Sequence, residues 1–331
     1  MSLKQKTLSD FVRAYFDQDR ITLKTYALIC AYLSKFIKHP RFLTHVSKMP
    51  INFCVLITYR CTRSCKDCFF LNKLNRRDIP DMDLDTAKEI EASPLFKTAI
   101  RIGLLGGEPL LNENIYDIIA FWKSKGHIVS VTSNGDLLTL DKARELKKAG
   151  LHLLIISYYK NNRKKIEAFM ASLTNAVMER NRIALACHST NLNDIEDAYE
   201  FAKKTGIGLF LPRYTADFSN NYSLSNQEKQ EIWRSFKNLR DKAHAEGAVQ
   251  ITPLIPFTYS VTQKPYCQNA LMTYNIAPNL ELSPCCQPIS KKYGNIYDYD
   301  ASEKFKKAVF QKDKIHKMCL NCPVLGGGNF L

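Results

Sequence analysis

Three cysteines, Cys61, Cys65 and Cys68, crowd the stretch CTRSCKDC in a chain of 331 residues with 11 cysteines. Thiolates spaced this closely bind soft metals, exchange with disulfides, or pack quietly in a core. Structural zinc is normally closed by four ligands, in paired Cys-x-x-Cys or Cys/His groups. This loop offers three. A cubane iron–sulfur cluster held by three thiolates keeps one iron open to a further ligand. The spacing alone favours iron–sulfur chemistry and leaves zinc as the alternative.

A second stretch, GGEP at 106–109, follows a run of apolar residues. Paired glycines let a backbone come close to a ligand. Glu108 offers an anion to a ligand's ammonium group, and Pro109 fixes the turn. An isolated GGEP also reads as an ordinary strand-to-helix connection.

Both stretches need elements to position them. Short apolar runs rich in branched residues recur as INFCVLIT (51–58), AIRIGLL (99–105), HIVSVTS (127–133), LHLLIIS (151–157), RIALACH (182–188) and IGLFLP (207–212). Amphipathic stretches such as NENIYDIIAFWKSK, LDKARELKKAG and DIEDAYEFAKKTG alternate with them, the last two closing on glycine as helix ends do. Strands alternating with helices predict a parallel sheet with right-handed crossovers. Six such units fit an open, partial (β/α)6 TIM-like barrel, with a doubly wound sheet as the competing arrangement. Chemistry then belongs on the loops after the strands: YRCTRSCKDC, GGEP, SNG (133–135), Ser157 with YYK, HST (188–190) and PRY (212–214) share one rim.

Together, the Cys-x-x-x-Cys-x-x-Cys loop after the first strand and GGEP after the second resemble the radical S-adenosylmethionine (SAM) superfamily over roughly residues 51–215. The resemblance implies that Cys61, Cys65 and Cys68 hold a 4Fe-4S cluster whose fourth iron is chelated by SAM. It implies that Gly106, Gly107, Glu108 and Pro109 bind the methionine amino group, and that Ser133, Asn134 and Ser157 meet the ribose and carboxylate. It also implies the reaction: an electron from an external flavodoxin- or ferredoxin-type reductant splits SAM, and a 5′-deoxyadenosyl radical takes a hydrogen atom from the substrate. One departure stands out. The residue before the third cysteine is usually aromatic in that family, and here it is Asp67, with Phe69 nearby.

The tail holds Cys267, Cys285, Cys286, Cys319 and Cys322. The stretch YCQNALMTYNIAPNLELSPCC predicts a β-hairpin and resembles the SPASM/twitch modules that follow many radical SAM domains. The resemblance implies one auxiliary 4Fe-4S cluster on Cys267, Cys285, Cys319 and Cys322, with zinc in the same site as the alternative. Where the related hairpins carry a glycine, this chain has Leu280. Cys286 is left over as an idle thiol or a hydrogen-atom donor, or takes the place of Cys285. Cys30, Cys54 and Cys187 sit in apolar surroundings and read as core residues.

The expected organisation is an N-terminal helical segment (1–50), the radical SAM core (51–215), a linking helix and connector (216–264) and a cysteine-rich module (265–331). The first segment places Tyr26, Ile29, Leu33 and Phe36 near one helical face. It is expected to pack on the main domain, with a membrane surface as the less favoured partner. The start lacks the pattern of a secretory signal, so a reducing cytoplasm is the expected location, where clustered cysteines serve metals rather than disulfides. A net charge of +15 suits anionic partners. Lys160 and Arg213 on the rim are candidates to meet an anionic small molecule of nucleotide or sugar type. A peptide substrate is the alternative. An RNA-modifying enzyme and a non-catalytic metal-binding or electron-transfer protein are readings of another class, and no RNA-binding module is recognisable.

Overall fold

The structure is a computed structural model that describes residues 50–65, 68, 75, 78–187, 192–210, parts of 234–247, 251–252, 273–283 and 293–308. Its first strand, β1 (Asn52–Thr58), is NFCVLIT, and from Val55 to Thr58 every residue is buried. A strand hidden on both faces must be continuously apolar, which is why it reads as a run rather than as an alternation.

Helices and strands then alternate: α1 (Leu84–Ala92), β2 (Arg101–Gly106), α2 (Ile115–Ser124), β3 (Ile128–Ser133), α3 (Leu140–Ala149), β4 (Leu153–Tyr158), α4 (Arg163–Ser172), β5 (Ile183–Cys187), α5 (Leu192–Thr205) and β6 (Gly208–Phe210). Local chemistry sets the helix ends. The Asp83 side chain accepts from Thr86 N at 2.8 Å to open α1, and Thr139 accepts from Lys142 N at 3.2 Å to open α3. Gly150 closes α3 at φ +93, in the left-handed region that glycine occupies freely.

Three short strands follow, β7 (Ile251–Thr252), β8 (Thr273–Ile276) and β9 (Leu282–Ser283), and a final described helix spans Asp300–Ala308. The sheet order is β7-β6-β5-β4-β3-β2-β1-β8-β9. From β1 to β6 the order in space is the order in sequence. A doubly wound sheet would reverse at a switch point. Sequential right-handed crossovers instead lay the helices on one side of the sheet, the arrangement of a partial barrel.

The sheet continues past the six expected strands. β7 pairs parallel with β6, and β8 pairs parallel with the other side of β1, matching Asn52–Val55 to Thr273–Ile276. The tail hairpin expected from sequence is therefore present as antiparallel β8 and β9. Leu280 in its turn has φ +65. The left-handed conformation that a glycine supplies at no cost is thus kept here by a leucine.

The core lies between the sheet and its helices. Phe53, Ile90, Ile102, Leu104, Ile118, Trp122, Leu146, Tyr199 and Tyr274 are essentially sealed from solvent. Phe53 ties layers together, its ring 4.4 Å from Phe96 and 6.2 Å from Tyr274 between centroids. Cys187 is buried and Cys54 half-buried, as expected of core thiols. Cys30 and the N-terminal segment 1–49 lie outside the described residues.

Candidate functional site

The cysteine loop and the GGEP turn meet backbone to backbone. The β1–β2 register shifts between Leu56 and Thr58, where the strand gives way to the loop. Beyond that irregularity Gly107 N donates to Thr58 O at 2.9 Å, and Glu108 N donates to Arg60 O at 2.7 Å. A Cβ on Gly106 would stand 2.3 Å from Thr58 O, and one on Gly107 would stand 2.1 Å from Arg60 O and 2.9 Å from the Cys61 Cβ. The paired glycines are required by this close approach, which presses the turn against the first cysteine.

Side chains then pin the loop from several directions. Thr58 Oγ1 donates to Asp81 Oδ1 at 2.5 Å, and Arg60 Nε donates to Asp81 Oδ2 at 3.0 Å. Cys61 N donates to Asn75 Oδ1 at 3.0 Å. Arg63 Nε and Nη2 donate to the two oxygens of Asp136 at 2.6 and 2.5 Å, and Thr62 Oγ1 adds a third donor at 3.2 Å. The Arg63 guanidinium also lies 4.7 Å above the centre of the Tyr159 ring. Cys61, Cys65 and Cys68 are half-buried thiols on this loop, and Cys68 N closes a turn to Cys65 O at 3.2 Å. Burial pushes the Cys61 thiol up, while the Arg63 backbone N–H and the Asn134 amide pull it the other way.

Glu108 is wholly buried. Its Oε1 accepts from Leu110 N at 3.1 Å and from Ser133 Oγ at 2.8 Å, and its Oε2 accepts from Asn134 N at 2.7 Å. Burial raises its pKa, and these donors oppose the rise. The carboxylate that sequence offered to a ligand's ammonium is occupied by three protein donors. It acts here as a tie between the ends of β2 and β3. Ser133 Oγ also accepts from Gly135 N at 3.0 Å. Asn134 Nδ2 donates to Thr62 Oγ1 at 2.9 Å and lies 3.9 Å from Cys61 Sγ. Ser157 is buried at the end of β4, and Asn162 Nδ2 bridges Ser157 O and Asn134 O at 2.8 and 3.3 Å. Burial raises the pKa of Tyr159 to about 12.

Residues 55–207 match the family model described as the radical SAM superfamily. That segment is a radical SAM domain. A protein of Thermococcus kodakarensis named probable GTP 3′,8-cyclase is 31% identical over an alignment of 188 residues that covers 50% of this chain and 59% of that protein. The chain thus spans little more than half of that relative. BtrN in complex with AdoMet and 2-DOIA superposes with a TM-score of 0.52 at 16% identity, covering 84% of this chain and 92% of that one. Streptococcus suis SuiB bound to precursor peptide SuiA superposes with a TM-score of 0.61 at 13% identity, covering 91% of this chain and 75% of that one. At such identities the two likenesses show a shared fold.

Within the radical SAM domain, the residues present fit an iron–sulfur cluster. Three soft sulfur donors share one half-buried rim loop, and that loop lies against a turn too tight for any side chain. Among the described residues no three Cys, His, Asp or Glu side chains are gathered into metal-binding geometry. Lys160 Nζ pairs with Asp194 Oδ1 at 2.6 Å, so its charge is shared within the rim. Arg213, Asp67, Phe69, Cys267, Cys285, Cys286, Cys319 and Cys322 lie outside the described residues.

Several residues that organise this site were not singled out from sequence: Arg63, Asp136, Tyr159 and Asn162 above all. Each stands within or next to a quoted rim stretch, so proximity to the motifs was the available signal. Their partners come from other strands, and nothing in local sequence pairs position 63 with position 136.

Proposed function

We propose that this chain is a radical SAM enzyme that reductively cleaves S-adenosylmethionine and abstracts a hydrogen atom from its substrate. The observation that carries the reading is the three-thiol loop after β1, backed by the GGEP backbone after β2. Cys61, Cys65 and Cys68 would hold the SAM-binding 4Fe-4S cluster. When bound, cluster and SAM together supply a one-electron cleavage that yields methionine and a 5′-deoxyadenosyl radical.

The chain's own residues do the positioning. The Gly106–Gly107 backbone comes close enough to the cysteine loop for the methionine end of SAM to be gripped beside the cluster. Glu108 and Ser133 hold that turn against β3. Asn134 at the end of β3 and Ser157 at the end of β4 would meet polar groups of SAM.

An auxiliary 4Fe-4S cluster on Cys267, Cys285, Cys319 and Cys322 is part of the proposal. The β8–β9 hairpin supports it, because Cys267 precedes Thr273 and Cys285 follows Ser283 in sequence, and an antiparallel hairpin returns its ends to one place. Cys286 is a candidate hydrogen-atom donor. A flavodoxin- or ferredoxin-type protein would deliver the electron.

The favoured substrate is an anionic small molecule of nucleotide or sugar type. The net charge of +15 and the similarity to a protein named as a GTP cyclase support it. An anion at Lys160 would compete with Asp194. A peptide is the second reading, supported by the extent of the match to SuiB in its peptide-bound form. No helix among the described residues is long and apolar enough to cross a membrane.

The test is anaerobic reconstitution with iron and sulfide, reduction by dithionite, and assay of 5′-deoxyadenosine and methionine. The expected result is SAM cleavage that Cys61→Ala, Cys65→Ala and Cys68→Ala each abolish. Retention of zinc alone at the loop, or cleavage that survives all three substitutions, would overturn the reading.

A further inference from the structure

We propose that the sheet face turned away from the helices, along Ser130 and Thr132 of β3 and across Gly103 to Cys54 and Asn275, receives a hydroxyl-bearing part of the substrate. The inference rests on the reading of the chain as a radical SAM enzyme, and adds to it a substrate class and specificity-determining residues.

The two faces of the sheet are unlike. On the helix side stand Phe53, Val55, Ile102, Leu104, Val129 and Val131, all sealed in the main core. Side chains alternate along a strand, so Cys54, Gly103, Ser130 and Thr132 belong to the opposite face. The strand register sets Asn275, Cys54, Gly103 and Ser130 in one row across β8, β1, β2 and β3. Cys54, Gly103, Thr132 and Asn275 are half-buried, and Ser130 is buried. Up β3 the same face continues from Ser130 through Thr132 to Asn134, whose amide donates to Thr62 Oγ1 on the cysteine loop at 2.9 Å. At the rise of a strand Cys54 lies about 13 Å below Thr58, which leaves depth for a sugar-sized group beneath that loop.

Gly103 is the informative position. Glycine inside a strand weakens it, and marks a bulge, a bend, or a close approach by backbone or ligand. The register runs unbroken through Gly103 on both sides. A Cβ there would meet Ser130 Oγ at 3.5 Å and Phe53 O at 3.9 Å, and nothing else within 4 Å among the described residues. Neither a bulge nor a pressing backbone accounts for the glycine, so the space over it is kept for a ligand. The groups that border it are an amide, hydroxyls and a thiol. Asn275 Nδ2 donates to Ser283 O at 3.3 Å, which leaves Oδ1 to accept. Ser130 Oγ donates to Ile102 O at 3.5 Å, which leaves its lone pairs. Below the row Asn52 Nδ2 donates to Thr273 Oγ1 at 3.2 Å, so the polar character continues. Sugar hydroxyls exchange water for such partners, whereas an alkyl chain would strip the same groups of water and return nothing.

The experiment titrates erythritol, ribitol and sorbitol phosphates by calorimetry into the full chain, loaded anaerobically with iron, sulfide and SAM. Butyl, pentyl and hexyl phosphates, matched in length and charge, are titrated beside them. Wild type should hold the best polyol phosphate about tenfold tighter than the alkyl phosphate of the same length, the worth of one or two hydrogen bonds. Gly103→Leu, compared at equal iron content, should lose about tenfold in that affinity, because its side chain fills the space over the row. Ser130→Ala keeps the shape of the row and should narrow the preference for hydroxyls. If Gly103→Leu loads less iron, Ser130→Ala decides alone. Binding indifferent to hydroxyls, binding of neither series, or a preference unchanged in both variants would overturn the inference. The radical SAM reading is tested apart, in wild type with neither series present. If the dithionite-reduced chain cleaves SAM, that reading stands whatever the titrations give; if it leaves SAM intact, both fall.

Discussion

Asp136 holds Arg63 by both oxygens, with Nε to Oδ2 at 2.6 Å and Nη2 to Oδ1 at 2.5 Å. Two parallel bonds between planar groups fix orientation as well as distance. The contact joins the cysteine loop to the loop after β3, and through the Tyr159 ring it reaches β4. Arg63, first among its influences, holds the Asp136 carboxyl below the usual range. A depressed folded-state pKa means stability that is present above the unfolded value near 3.9 and is lost as pH falls through the folded value. Asp136→Asn should therefore cost about 1–2 kcal/mol at pH 7, with a difference from wild type that shrinks toward pH 3. Urea unfolding at the two pH values checks this. Arg63→Lys should show most of the same loss, because an ammonium cannot make the two-point contact.

Glu108→Gln tests whether that carboxylate is a tie within the protein. Its amide NH2 must face either Asn134 N or the donors at the other oxygen, and no rotamer presents acceptors to both. One buried donor is left unsatisfied, at a cost of about 1–3 kcal/mol. Chemical denaturation of the cluster-free chain should register it. A variant as stable as wild type would return Glu108 to the role of a ligand group.

Gly107→Ala should separate the turn from the loop. The new methyl would stand 2.1 Å from Arg60 O, and overpacking against backbone costs about 1–3 kcal/mol. Iron content after reconstitution should fall with it. Gly103→Ala is the control, since its nearest neighbour would be Ser130 Oγ at 3.5 Å, an ordinary contact.

Leu280 at φ +65 gives a fourth prediction. A β-branched side chain is far less tolerant of the left-handed region than leucine. Leu280→Val should destabilise the chain by about 1–2 kcal/mol, while Leu280→Gly relieves backbone strain of about 1 kcal/mol and loses part of a side chain packed on the core. Thermal melts should rank glycine above valine at this position.

The sequence by itself determined what depends on neighbours along the chain. Period and apolar content marked β1 through β6 as buried strands, and Gly150 and Gly206 as helix ends, because helix and strand formation are largely local. The cysteine spacing and GGEP were legible for the same reason: three sulfurs on one loop and two glycines in one turn are short-range facts. Strand order was not legible, since β8 docks on β1 across more than 200 residues of chain, and a strand's own residues do not name its partner. The fate of Glu108 was equally hidden. In sequence it is an acid beside a glycine pair. Only when β3 lies next to β2 do Ser133 and Asn134 bring donors to both oxygens and take the carboxylate for the protein itself. The same lateral packing turns Arg63, Asp136 and Tyr159, unremarked along the chain, into the frame that orients the cysteine loop.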